Sequence, residues 1–128
     1  MKKLLFLLTL SAVLFSCAVT WVPTKSDTAL NLVSKIQQEA NNAFYTIDYN
    51  DAAYSIVNAD IDSLISFDKS RIKSGDILKQ DSRIQVMFKN FQYEHKTKGS
   101  IAPSEQNTYK AYFKSVIDPR IISEKSFK

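Results

Sequence analysis

The chain has 128 residues and a formal net charge of +4, from 17 Lys or Arg against 13 Asp or Glu, with one cysteine, one histidine and two glycines. A single cysteine excludes a disulfide within the chain, and two glycines leave no phosphate-cradling loop and no Gly-x-Ser-x-Gly nucleophile elbow. The length suits one domain able to bury a core without covalent staples.

The first element is a leader. Lys2 and Lys3 precede an apolar run from Leu4 to Val13, and small residues follow up to Cys17. That order reads as an export signal. The apolar part, Leu4 to Val19, is broken by Thr9, Ser11 and Ser16 and falls short of the roughly twenty residues that a membrane span wants. Ser16 and Ala18 would also suit a cut after Ala18 that releases a soluble protein.

Leu14-Phe15-Ser16-Cys17 resembles the lipobox of bacterial lipoproteins, with an aliphatic residue at −3, a small one at −1 and then the cysteine. The resemblance implies removal of residues 1–16, lipidation of Cys17 and attachment to a membrane through that lipid. Ala18, where other lipoproteins carry an aspartate, resembles sorting to the outer membrane, and no acidic run of the surface-export type follows. The periplasmic face of the outer membrane is the expected location.

Residues 17–26 then form a lipidated cysteine and tether. Ala18 to Ser26 has no helical period and contains Pro23. Trp21, four residues from the expected lipid, either sits at the headgroup level or packs on the domain.

Residues 27–128 are expected to form an all-α domain, a small antiparallel up-down four-helix bundle, with helices near 28–48, 51–74, 76–98 and 103–118. Gly75 and Gly99 each follow basic residues and mark helix ends, with Asp76 as an N-cap for the third helix and Asp27 for the first. Pro103-Ser104-Glu105 starts the fourth, and Asp118-Pro119 stops or kinks it. Four apolar arcs repeat at helical spacing. They are Ala29, Val33, Ile36, Ala40, Ala43, Phe44 and Ile47; Tyr54, Val57, Ile61, Leu64, Ile65 and Ile72; Ile77, Ile84, Phe88, Phe91 and His95; and Tyr109, Tyr112, Phe113 and Val116, with Ile117 at the edge. Short connections between such stripes favour antiparallel neighbours. Ile121, Ile122 and Phe127 in the tail dock either on the bundle or on a partner.

Charge is divided between the halves. Residues 27–68 carry a net −6 and residues 69–128 a net +7. Two complementary hairpins explain this without an outside object, and nucleic acid is not an expected partner.

The residues able to carry chemistry are few. With Cys17 taken by lipid, His95 has no thiol to activate. Glu94 and His95 are adjacent, which excludes the Glu-x-x-His spacing of di-iron bundles, and Met87 on the same helix cannot face His95 across a haem iron. No metal and no cofactor is expected, and His95 reads as a packed imidazole near a helix C-terminus. Asp68 lies inside the second apolar arc, and a turn at Gly75 brings it near Asp81. A buried carboxylate has to be answered, either by Arg71, Lys79, Arg83 or water, or by a cation or basic group of a partner. Lys79, Arg83, Lys89 and Lys96 flank the third arc as a basic face, a candidate dock for acidic headgroups or an acidic protein. Asp27-Thr28-Ala29 and Asp62-Ser63-Leu64 resemble the Asp-Ser/Thr-aliphatic acceptor of O-glycosylation in Bacteroidetes-type periplasms.

The expected function is therefore non-enzymatic: a lipid-anchored structural or adaptor subunit of a cell-envelope assembly such as a secretion apparatus. It would bind a protein partner, with self-association left open. The competing expectation is a periplasmic immunity or inhibitor protein that masks a toxin or lytic enzyme.

Overall fold

A computed structural model describes residues 24–127. The expectations for the leader, for Cys17 and for Trp21 fall on residues outside that range. Four helices follow in order, α1 (Asp27–Tyr45), α2 (Asp51–Lys69), α3 (Gly75–Lys98) and α4 (Pro103–Ser126). No sheet is present among the described residues, only one isolated antiparallel bridge between Asp48 and Ser100.

Each helix packs on two others, α1 on α2 and α4, and α3 on α2 and α4, which closes a ring of four. Side-chain pairings give the directions. Phe44 meets Tyr54 while Lys35 meets Asp60, so α1 and α2 run opposite ways. Asn58 pairs with Gln92 and Asp62 with Gln85 across α2 and α3. Phe91 stacks on Tyr109 while Gln80 reaches Ser123 across α3 and α4. Consecutive helices are antiparallel, as short connections require.

The buried positions run in steps of three and four. They are Tyr54, Val57, Ile61, Leu64 and Asp68 on α2, and Ile77, Asp81, Ile84, Phe88, Phe91 and His95 on α3. On α4 they are Gln106, Tyr109, Phe113, Ile117, Arg120 and Glu124. This spacing keeps one narrow stripe of each helix on the bundle axis. At the centre Phe44 touches five rings, those of Tyr54, Phe88, Phe91, Tyr109 and Phe113, at centroid distances of 5.6–6.3 Å. Polar residues take over the same stripe at both ends.

Several local expectations change. The first helix stops at Tyr45, and Ile47, expected in its apolar arc, is 57% exposed in the linker. There the backbone bonds instead to the α3–α4 linker, from Tyr49 N–H to Gly99 O at 2.9 Å and from Ile101 N–H to Ile47 O at 2.9 Å. Ser26, not Asp27, caps α1, its Oγ accepting from the Ala29 N–H at 3.2 Å. The second helix ends at Lys69, so Ile72 leaves the core altogether and is 82% exposed. Gly75 opens α3 instead of closing α2, and the left-handed residue of that turn is Lys73, at φ 61°. Gly99 does close α3, at φ 75°, with its N–H on His95 O at 2.8 Å. Tyr112, expected in the core, is 57% exposed, whereas Ile117 is fully buried.

The largest departure is at Pro119, where α4, expected to stop or kink near 118, does not stop. Pro119 has no N–H for the Ser115 carbonyl, yet α4 continues to Ser126. What lies beyond it explains the continuation, because Arg120 and Glu124 are fully buried and held from three sides.

Replacing Phe44 with Ala should cost about 3–5 kcal/mol of stability, the range for a truncated core phenylalanine. Replacing the exposed Ile72 with Ser should change it by less than about 0.5 kcal/mol. Urea unfolding monitored by circular dichroism reads both.

Candidate functional site

At the end of the bundle where α1 and α3 begin and α2 and α4 finish, five charged side chains form one network. Arg120 is its centre. Its Nε donates to Asp81 Oδ1 at 2.9 Å, Nη1 to Glu124 Oε2 at 2.8 Å and Nη2 to Asp68 Oδ2 at 2.6 Å. All four residues are completely buried. Arg71 closes the network from the α2–α3 turn, its Nη1 reaching both Asp68 Oδ1 and Glu124 Oε2 at 2.8 Å. The aromatic rings of Phe67 and Phe127 lie about 6 Å from the same guanidinium.

The segment that precedes α1 is tied into this network. Arg71 Nη2 donates to Thr24 O at 2.6 Å, and the Ser26 N–H donates to Glu124 Oε1 at 2.6 Å. Thus residues 24–26 are strapped across the bundle end.

Burial of this many charges is tolerable only because the donors and acceptors are matched. One atom is left over: Asp81 Oδ2 is buried without a hydrogen-bond partner. The two guanidiniums face three carboxylates, so one negative charge is in excess. Burial, reinforced by the neighbouring Asp68 carboxylate, pushes the Asp81 carboxyl up to about 7, from an ordinary 3.8. A proton there both removes the excess charge and turns the orphaned oxygen into a donor. Burial also pushes Glu124 upward, but hydrogen bonds from Arg71 and Arg120 outweigh it and hold that carboxyl below its usual range.

The buried polar residues of the opposite end include a tyrosine and a histidine. Tyr54 O–H donates to His95 Nδ1 at 2.9 Å, and His95 Nε2–H donates to Ile47 O at 2.9 Å, the tautomer being the one that suits both partners. Both ring nitrogens are engaged, and His95 is fully buried. Among the described residues no group of three or more His, Cys, Asp or Glu side chains could hold a metal ion.

Asp68 and Asp81, expected as a pair near the α2–α3 turn, are indeed brought together, but neither reaches the surface. The basic group that answers both is Arg120 of the same chain, an internal partner not among those considered from the sequence. Arg71, one of the internal partners considered, contributes to Asp68. Lys79 does not; it pairs with Asp76 at 3.0 Å. Arg83 is exposed and lines a shallow groove of about 420 Å³ between α3 and α4, with Val86, Met87 and Val116. Lys89 and Lys96 are exposed, and Lys96 Nζ lies 6.0 Å from the Tyr49 ring centre. Arg120 and Glu124 went unrecognised in the sequence. Their signal was the spacing of Tyr109, Phe113 and Ile117, which continues across Pro119 onto both.

The acidic and basic halves meet as ion pairs only in this network among the described residues. Elsewhere pairs close within one hairpin, as in Lys35–Asp60 at 3.0 Å, Lys98–Glu94 at 2.7 Å and Lys114–Asp118 at 2.5 Å. The outer surfaces of α1–α2 and α3–α4 therefore keep opposite character, and the expected pairing of the hairpins is a buried feature, not a surface one.

Comparison with protein-family models finds no match, and comparisons with curated proteins and with solved structures find none either.

Two outcomes follow for stability. Arg120→Met should destabilise by about 3–5 kcal/mol, because three buried carboxylates lose their common partner. A carboxyl raised in the folded state contributes stability that is full below its unfolded value and lost as pH rises through about 7. A carboxyl lowered in the folded state, like Glu124, acts oppositely and loses its contribution in acid. Stability should therefore fall from about pH 4 to pH 7 and level off above it, and Asp81→Asn, which keeps an acceptor for Arg120 and carries a permanent donor, should abolish that fall. Urea midpoints measured across this range check both variants.

Proposed function

We propose that this is a periplasmic lipoprotein, held by acyl chains on Cys17 after removal of residues 1–16, whose bundle is a non-enzymatic adaptor in a cell-envelope assembly. The observation that carries the reading is the lipobox Leu14-Phe15-Ser16-Cys17, which lies seven residues before Thr24. The strap at Thr24 and Ser26 supports it from the other side, since the chain meets the bundle at one fixed place. With more than one acyl chain, such an attachment is firm. Seven residues reach no more than about 25 Å, so the bundle stays close to the lipid.

The binding role rests on the surfaces. The exposed side of α3 carries Lys79, Arg83, Lys89 and Lys96, and Arg83 sits beside an apolar groove open enough to receive a side chain. An acidic partner segment with an apolar residue suits that combination. The partner class is an envelope protein, and the outer membrane is the membrane of choice.

Cys17→Ser should lose acyl labelling and shift the protein from the membrane to the soluble fraction; retention of an uncleaved, membrane-bound form overturns the anchoring. For the adaptor role, detergent extraction with the lipid intact should recover several envelope proteins in fixed ratio. Recovery of one toxin or hydrolase would indicate an inhibitor instead, and monomer alone overturns both. Arg83→Glu with Lys89→Glu should abolish that recovery while moving stability by less than about 0.5 kcal/mol, as surface changes do.

A further inference from the structure

The turn between α2 and α3 holds the most exposed large hydrophobic side chain of the described residues, Ile72 at 82%. It is flanked by two cations with different duties. Arg71 points inward to Asp68, Glu124 and the Thr24 carbonyl. Lys73 takes the left-handed conformation that lets the chain turn back within five residues, Ser70 to Ser74. The isoleucine is thus presented at an apex, next to the residue that grips the strap.

Of the other exposed apolar residues, Ile122, 65% exposed and one turn before the close of α4, shares this end with Ile72. Tyr45, Ile47 and Tyr93 lie at the opposite end, and about 27 Å of helix separates Tyr93 from the start of α3. The apex shares its end with the strap, where the chain leading back to Cys17 departs. Exposed lysines also gather there: Lys25 before α1, Lys69 at the close of α2 and Lys125 at the close of α4. The exposed acids of this end, Asp27 and Asp76, are partnered by Lys25 at 3.7 Å and Lys79 at 3.0 Å.

We infer that the Ile72 turn is a membrane-contacting tip, which inserts its isoleucine among the headgroups of an anionic phospholipid surface while the surrounding lysines meet the phosphates. The inference rests on the anchoring of Cys17 proposed above, which brings this end within reach of a bilayer. One apolar side chain and a few cations bind weakly on their own, and a tether converts that weak contact into an intramolecular one. The bundle then stands on its charge-network end, with the His95 end and the length of the basic α3 face turned to the periplasm.

The test needs a depth probe at the apex and an attachment that does not depend on acylation in the cell. The described fold lies wholly within residues 24–127, so the chain from Cys17 onward retains it. That chain, with Trp21→Phe and Ile72→Trp, is coupled through Cys17 to a maleimide-bearing lipid in vesicles containing phosphatidylglycerol and brominated phosphatidylcholine. The tryptophan emission should shift to the blue and lose intensity, whereas Tyr93→Trp in the same background should keep its aqueous spectrum. Vesicles of brominated phosphatidylcholine and the coupling lipid alone should give a smaller loss. Equal, water-like emission at positions 72 and 93 overturns the inference, and equal loss with and without phosphatidylglycerol overturns its ionic part. If Cys17→Ser leaves localisation in cells unchanged while the coupled protein still shows the quenching, the anchoring falls and the membrane affinity of the tip stands.

Discussion

Arg120 is the residue on which the rest of the structure depends. Its guanidinium spends all three nitrogens on three different carboxylates, from α2, α3 and its own helix. A planar, always-charged fork is suited to this, and a lysine could not reproduce the geometry. The same contacts explain why α4 runs through Pro119: one missing backbone hydrogen bond is set against a buried ionic network that would otherwise be left open. Network and helix extension are one feature.

An apolar core specifies composition and volume better than it specifies register. In a bundle whose four stripes all run in steps of three and four, a helix could slide by one heptad and still bury aliphatic groups. The polar ends remove that freedom. Arg120 opposite Asp68 and Asp81 fixes one end, and Tyr54 with His95 and the Ile47 carbonyl fixes the other. Between them lies the ring cluster around Phe44. The excess carboxylate adds a cost, which a proton on Asp81 offsets, so the network is best matched in mildly acidic conditions.

The network also carries information outward. By gripping Thr24 and Ser26 it sets where the preceding chain departs, and by using Arg71 it sets the shape of the turn that exposes Ile72. Core, strap and exposed apex are mechanically one unit. The strap, from which the chain leads back towards Cys17, lies at the same end as the apex.

From residue pattern alone the helical class, the number of helices and most of the core could be read, since hydrophobic spacing reports which face of a helix is dry. Val33, Ile36, Ile61, Ile84, Phe88 and Phe113 are all buried as their arcs require. The pattern also singled out Asp68 and its nearness to Asp81, because a carboxylate inside an apolar stripe has to be compensated. It misjudged Ile72, Ile47 and Pro119 for one shared reason. Each sits where a helix was expected to end or continue on local signals alone, and contacts made by distant residues decided otherwise. Ile72 fits its arc only if α2 continues, and the turn ends it. Pro119 ends α4 only if nothing beyond it is needed, and Arg120 is needed. Which group neutralises Asp68, and which end of the bundle the N-terminal strap crosses, depends on partners 52 and 98 residues away in the chain. Spacing along one helix contains nothing about such pairs, so only the packed tertiary structure could decide them.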